Sequence, residues 1–77
     1  MPDTLLQLFS DVLDVPVVKL NDDTSPDNTG QWDSLAAMHL VAAIEDMFNI
    51  TLSTKEIIKM SSIGRVREVL KEKNVAI

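Results

Sequence analysis

From about Ser34 to Phe48 the apolar residues recur at a spacing that one face of a helix satisfies, and this stretch constrains the fold most. At about 100° per residue, Ala37, Leu40, Val41, Ile44, Met47 and Phe48 gather on one side as a core stripe. Ser34, Leu35, Met38, His39, Ala42, Glu45 and Asp46 fall on the other. A plain surface face would be mostly polar, yet Leu35, Met38 and Ala42 lie beside the serine, with charge only at the far end. Asn49 suits a left-handed stop, and Ile50 returns to the core.

Three further helices are expected around this one. Thr4-Leu5-Leu6-Gln7 fits a capping box, and Leu5, Leu6, Phe9, Val12 and Leu13 follow at helical spacing, predicting a helix over about Thr4–Asp14 that Pro16 helps to end. Ser53 and Glu56 form a second capping box, with Leu52 and Ile57 at the spacing of a hydrophobic staple, opening a short helix to about Met60. Ser61 or Ser62 caps a fourth, in which Ile63, Val66, Val69 and Leu70 face inward and Lys71 and Lys73 sit in the last turn, where cations suit the helix dipole. Between the first two helices, Val15–Gln31 keeps no period and holds Pro16, Pro26, Gly30 and a run of turn formers. Val17, Val18 and Leu20 are expected to pin its first half to the core through a short helical turn. The fold class is therefore all-α: a small four-helix bundle with three longer helices, a short third, and a long loop between helices one and two.

Seventy-seven residues make a single domain, residues 1–77, too small for a deep enclosed active site, since a chain of this size buries only about 60% of the surface its unfolded form exposes. A net charge of −5 argues against nucleic acid and mildly for partners with basic surfaces. There is no cysteine, so any thioester chemistry needs a thiol brought in by a prosthetic group. Met1-Pro2-Asp3 lacks the basic start of a secretory signal and no apolar run approaches membrane-spanning length, which makes the cytoplasm the expected location.

Catalysis by the chain itself looks poor. His39, the only histidine, stands about 140° around the helix from Ser34, too far for a nucleophile and its base. Setting Asp23, Ser25 and Asp27 at the first positions of a calcium loop puts Asn28 where glycine is needed and Ser34 where a bidentate glutamate is needed, so Asp22, Asp23 and Asp27 read as a solvated loop. Ser34 is left with two uses. Serine and aspartate are favoured helix caps, so Asp33 or Ser34 could simply satisfy early amides. Three neighbouring features suit covalent attachment instead. A helix N-terminus favours a phosphate ester on the hydroxyl. Leu35 continues into the Met38–Ala42 patch, which suits docking. The missing cysteine is compatible with an imported thiol.

With Trp32-Asp33-Ser34-Leu35 running into Met38-His39-Leu40-Val41-Ala42-Ala43-Ile44-Glu45-Asp46-Met47-Phe48-Asn49-Ile50, and the Ser53–Glu56 helix start behind it, the chain resembles the acyl carrier protein family of phosphopantetheine-attachment domains. The resemblance covers nearly the whole chain: its length, acidity, helix order, long first loop and short third helix. It implies that a phosphopantetheinyl transferase attaches 4′-phosphopantetheine from coenzyme A to Ser34. The thiol of that arm would hold acyl or aminoacyl groups as thioesters, for enzymes of fatty acid, polyketide or related biosynthesis. Asp33 would orient the helix start and bind the transferase; Leu35, Met38, His39 and Ala42 would touch partners; Glu45 and Asp46 would meet their basic residues. Trp32 packs the loop onto the bundle, and Ile58 and Met60 could line the gap between helices two and three where family members shelter acyl chains. The implied partners are acyl-loading and acyl-processing enzymes with basic or apolar patches, the implied state is a monomer, and catalysis remains with those enzymes. Gly30 stands three residues before the aspartate rather than two, and Ala36, Ala37 and His39 replace early acidic residues of helix two. Trp before Asp-Ser-Leu looks more like stand-alone carriers of specialised pathways. The alternative is an unmodified interaction module that binds one protein through the apolar face of helix two.

Overall fold

The computed structural model describes residues 3–75. Its helices are α1 (Thr4–Leu13), α2 (Ser34–Phe48), α3 (Thr54–Lys59) and α4 (Ile63–Glu72), with a single 3₁₀ turn at Val17–Lys19. No strand occurs among the described residues, and no helix there is long and apolar enough to cross a membrane. α1 packs against α2, and α3 against α4. Leu5 and Phe9 of α1, Leu40 and Ile44 of α2, and Ile63, Val66 and Leu70 of α4 are fully buried where these helices meet. Burial of each such side chain contributes on the order of 1.5–3 kcal/mol to holding the helices together.

Several expected details differ. The Thr4–Gln7 capping box does not form. Asp3, one residue earlier, caps α1 by accepting from the Leu5 and Leu6 amides at 3.1 and 3.2 Å, and Gln7 reaches forward to Asp11. A carboxylate at the cap answers the positive helix end better than a hydroxyl, and Arg67 holds it there. α1 stops at Leu13 because Asp14 turns left-handed, at φ 56°. Leu8, outside the expected stripe, is buried, whereas Leu6 and Val12 are only half-buried. Val18 is 92% exposed and pins nothing. At three residues per 3₁₀ turn, Val17, Val18 and Leu20 cannot all face inward, and Val15 and Leu20 are the buried pair. Met47 shares the core direction of α2 but stays half-exposed, while Phe48 beside it packs against the core. The Ser53–Glu56 box forms in both directions, at 2.9 and 3.2 Å, while Ile57 remains partly exposed above buried Leu52.

The long loop is held by its own polar groups. The Thr24 hydroxyl accepts from the Asn21 amide at 3.0 Å, and Asn28 bridges the turn by accepting from Ser25 N–H and donating to the Asp23 carbonyl, both at 2.9 Å. The loop also docks on the first turn of α4, whose Ile63 and Gly64 amides donate to the Thr24 and Asp22 carbonyls at 3.0 and 2.9 Å. Gly64 makes room for this approach, since a Cβ would stand 3.1 Å from the Asp22 carbonyl oxygen and the loop would have to give by a few tenths of an ångström. These ties turn an aperiodic segment into a fixed bridge to the head of α2.

Candidate functional site at the head of helix two

Trp32 fixes the end of the loop. Its side chain is buried, meets the Phe9 ring edge-on with centroids 5.1 Å apart, and its amide closes a turn on the Thr29 carbonyl at 3.0 Å. Aromatic edge-to-face packing of this kind adds about 0.5–1.5 kcal/mol beyond the area buried. With Trp32 anchored, Asp33 takes up extended backbone and becomes the N-cap of α2. Its carboxylate accepts from the Ala36 amide at 2.9 Å and its carbonyl from Ala37 N–H at 2.9 Å.

This arrangement shows which residue is the cap. The cap is Asp33. Ser34 is the first residue inside the helix and is exposed, and its hydroxyl has no hydrogen-bond partner among the described residues. Nor do the amides of Ser34 and Leu35 find an acceptor among the described residues. An exposed hydroxyl beside two unpaired N–H groups at a helix N-terminus is a setting into which a phosphate ester fits, because those amides and the dipole favour the anion.

The other residues singled out in the sequence lie along α2 from this end, with Glu45 and Asp46 at the far end. Leu35 and Met38 are 62% and 69% exposed, and His39, Ala42 and Asp46 are exposed as well. Glu45 is different. It is half-buried, and one carboxylate oxygen accepts from the Leu52 amide at 2.8 Å, tying the α2–α3 connection to the helix. Ala37, Met38 and Val41 join Ile57 of α3 in an open apolar groove of about 330 Å³. Ile57, expected in a staple with Leu52, also lines this groove, a place that face analysis does not reveal in a helix of six residues.

Beneath the groove, Phe9, Trp32, Ala37, Leu40, Val41, Ile57 and Met60 enclose a void of only about 30 Å³. That is one water's share of liquid volume, so no acyl chain is enclosed in this conformation. Met60 lines the gap and packs against the core, whereas Ile58 does neither, being 74% exposed. The loop aspartates do not converge. Asp22 pairs with Arg67 at 2.7 Å, and among the described residues no three histidine, cysteine, aspartate or glutamate side chains are placed to share a metal ion.

A family model described as a phosphopantetheine attachment site matches residues 3–70, from the cap of α1 to the last buried leucine of α4. No curated protein matches the chain.

Proposed function

The chain belongs to the phosphopantetheine-attachment family, a carrier family whose members bear a covalent 4′-phosphopantetheine arm, and we propose that Ser34 is the residue that bears it here. The observation that supports this is the division of labour at the head of α2. Asp33 satisfies the Ala36 amide, which leaves the Ser34 hydroxyl exposed and unengaged among the described residues. The Ser34 and Leu35 amides are the groups that would hold the phosphate, and Asp33 keeps the first turn rigid while the hydroxyl is modified. When bound, the arm supplies a terminal thiol that holds acyl or aminoacyl groups as thioesters, chemistry for which this cysteine-free chain has no group of its own.

On this reading the chain is a carrier and not an enzyme, and its partners are a phosphopantetheinyl transferase and the enzymes that load and process its cargo. Leu35, Met38, His39 and Ala42 form the partner face, with Asp46 at its far edge and Asp33 beside the modified residue. Glu45 has a smaller part than the sequence suggested, since it is engaged by Leu52. A tethered cargo reaches successive enzymes at high effective concentration, which suits a small rigid body. Trp32 before Asp33-Ser34-Leu35, with uncharged residues early in α2, favours a specialised polyketide, peptide or related pathway over primary fatty acid synthesis.

Incubation with coenzyme A and a broad-specificity transferase tests the assignment: wild type gains one arm by intact mass and Ser34→Ala gains none. A second reading, an unmodified module that uses the apolar groove alone, draws on the exposure of Leu35 and Met38. It requires Ser34→Ala to keep function while a charge at Met38 abolishes it.

A further inference from the structure

We infer that Trp32 is a stopper that keeps cargo out of the bundle, so that this carrier holds a short or polar acyl group in the water beside it and not a long alkyl chain inside it; this rests on Ser34 being the attachment residue. Trp32 stands two residues before Ser34, so the gap between α2 and α3 that it lines adjoins the point of attachment. A six-carbon ring such as benzene occupies an apolar cavity of about 150 Å³. The space here is about 30 Å³, far short of what even a six-carbon cargo needs.

Side chains, and not helix backbones, close this gap, because α3 packs chiefly against α4. Ile57 is partly exposed and Met60 is unbranched, adaptable and only partly buried, so neither resists a guest. Phe9 and Leu40 are buried members of the common core. Trp32 is the large rigid wall, held edge-on to Phe9 with centroids 5.1 Å apart and by its amide bond to the Thr29 carbonyl. To admit a chain it would have to leave Phe9 and take the Asp33 cap with it. Widening the gap from the α3 side is opposed as well. Glu45 of α2 accepts from the Leu52 amide at 2.8 Å, just before α3, and Lys73 pairs with Glu56 of α3 at 3.1 Å. The open groove of Ala37, Met38, Val41 and Ile57 covers one side of an alkyl chain and leaves the other in water. Apolar stabilisation scales with the area taken out of water, so a long tail gains little here and a short or polar group loses nothing.

The test loads Ser34 from butyryl- and decanoyl-coenzyme A with a broad-specificity transferase and confirms one acyl arm by intact mass. The two loaded forms are then compared in urea unfolding, followed by circular dichroism, and in Trp32 emission. In wild type the midpoints agree within about 0.5 M, and the emission maximum of this sole tryptophan does not move. Trp32→Leu, which vacates part of the ring's space, raises the decanoyl midpoint above the butyryl one by more than about 0.5 M. Where Trp32→Leu does not fold, Trp32→Phe, which keeps an aromatic edge on Phe9, shows the same order of midpoints. A decanoyl arm that stabilises wild type by more than about 0.5 M, or moves its emission to shorter wavelength, overturns the inference. So does a folded Trp32 variant that is indifferent to chain length. Failure of Ser34 to take any arm contradicts instead the attachment residue, so the two failures are distinguishable.

Discussion

Arg67 Nε donates to Asp22 Oδ1 at 2.7 Å across 45 positions of sequence, and the same guanidinium donates from its two terminal nitrogens to Asp3. One side chain of α4 thereby joins the cap of α1 to the loop that leads to Ser34. The arginine is mostly buried, while Asp22 is largely exposed. The Asp3 arm of the clamp is consequently the stronger one, because the exposed pair is screened by solvent.

Arg67→Met should lower stability by about 1–2 kcal/mol, equivalent to roughly 5–15 °C in Tm for a domain of this length. Thermal unfolding followed by far-ultraviolet circular dichroism reads this directly. A shift under about 2 °C would mean that the clamp adds nothing to the backbone ties between loop and α4.

The pH response follows from the same contact. The Arg67 hydrogen bond holds the Asp3 carboxyl below its ordinary 3.8, helped by the Leu6 and Leu5 amides and opposed by burial. Because the folded value is depressed, the stabilisation is fully present above about pH 5 and is lost as pH falls through 3.8 toward the folded value. Urea midpoints from pH 7 to pH 3 should therefore fall more steeply for wild type than for Arg67→Met. Parallel acid limbs would show that Asp3 is not the group responsible. Glu56 is also lowered, by the Ser53 amide and by Lys73, but it lies at the surface and should contribute little to the difference.

Gly64→Ala sets helix propensity against space. Alanine favours a helix over glycine by up to about 1 kcal/mol, less in a first turn, but its Cβ would sit 3.1 Å from the Asp22 carbonyl oxygen that receives the Gly64 amide. A net loss of about 1 kcal/mol is expected, measured as a lower urea midpoint with an unchanged slope. A gain would show that the loop can retreat from α4 at no cost.

Helix order, the extent of α2, the box at Ser53 and Glu56, and the inward face of Ile63, Val66, Val69 and Leu70 were legible in the sequence, because each depends on local spacing. The cap of α1 was misplaced by one residue. Asp3 and Thr4 are both good caps, and a distant arginine favours the first. The exposure of Val18 and Met47 was illegible, since periodicity gives a direction around an axis and not the depth of what lies there. The fixed loop was hidden for a related reason: its ties run to Gly64 and Arg67, far away in sequence. At the site, Asp33 and Ser34 were recognisable as neighbours with two possible roles, and only the bond from Ala36 to Asp33 showed which residue caps.

Trp32→Ala should be the most damaging single change near the site. It removes the ring packed on Phe9 and costs about 3–5 kcal/mol, a large share of the stability of a domain this small. Trp32→Phe, which keeps an aromatic edge, should recover more than half of that loss in urea unfolding. Equal losses in both variants would remove the ring contact as the reason the loop end is fixed.

The central claim concerns one hydroxyl among six serines. Protein treated with coenzyme A and a competent transferase, digested and mapped by mass spectrometry, should carry a single phosphopantetheine on the peptide containing Ser34, and Ser34→Ala should carry none. An arm on any of the other five serines, or undiminished addition to Ser34→Ala, would contradict the account.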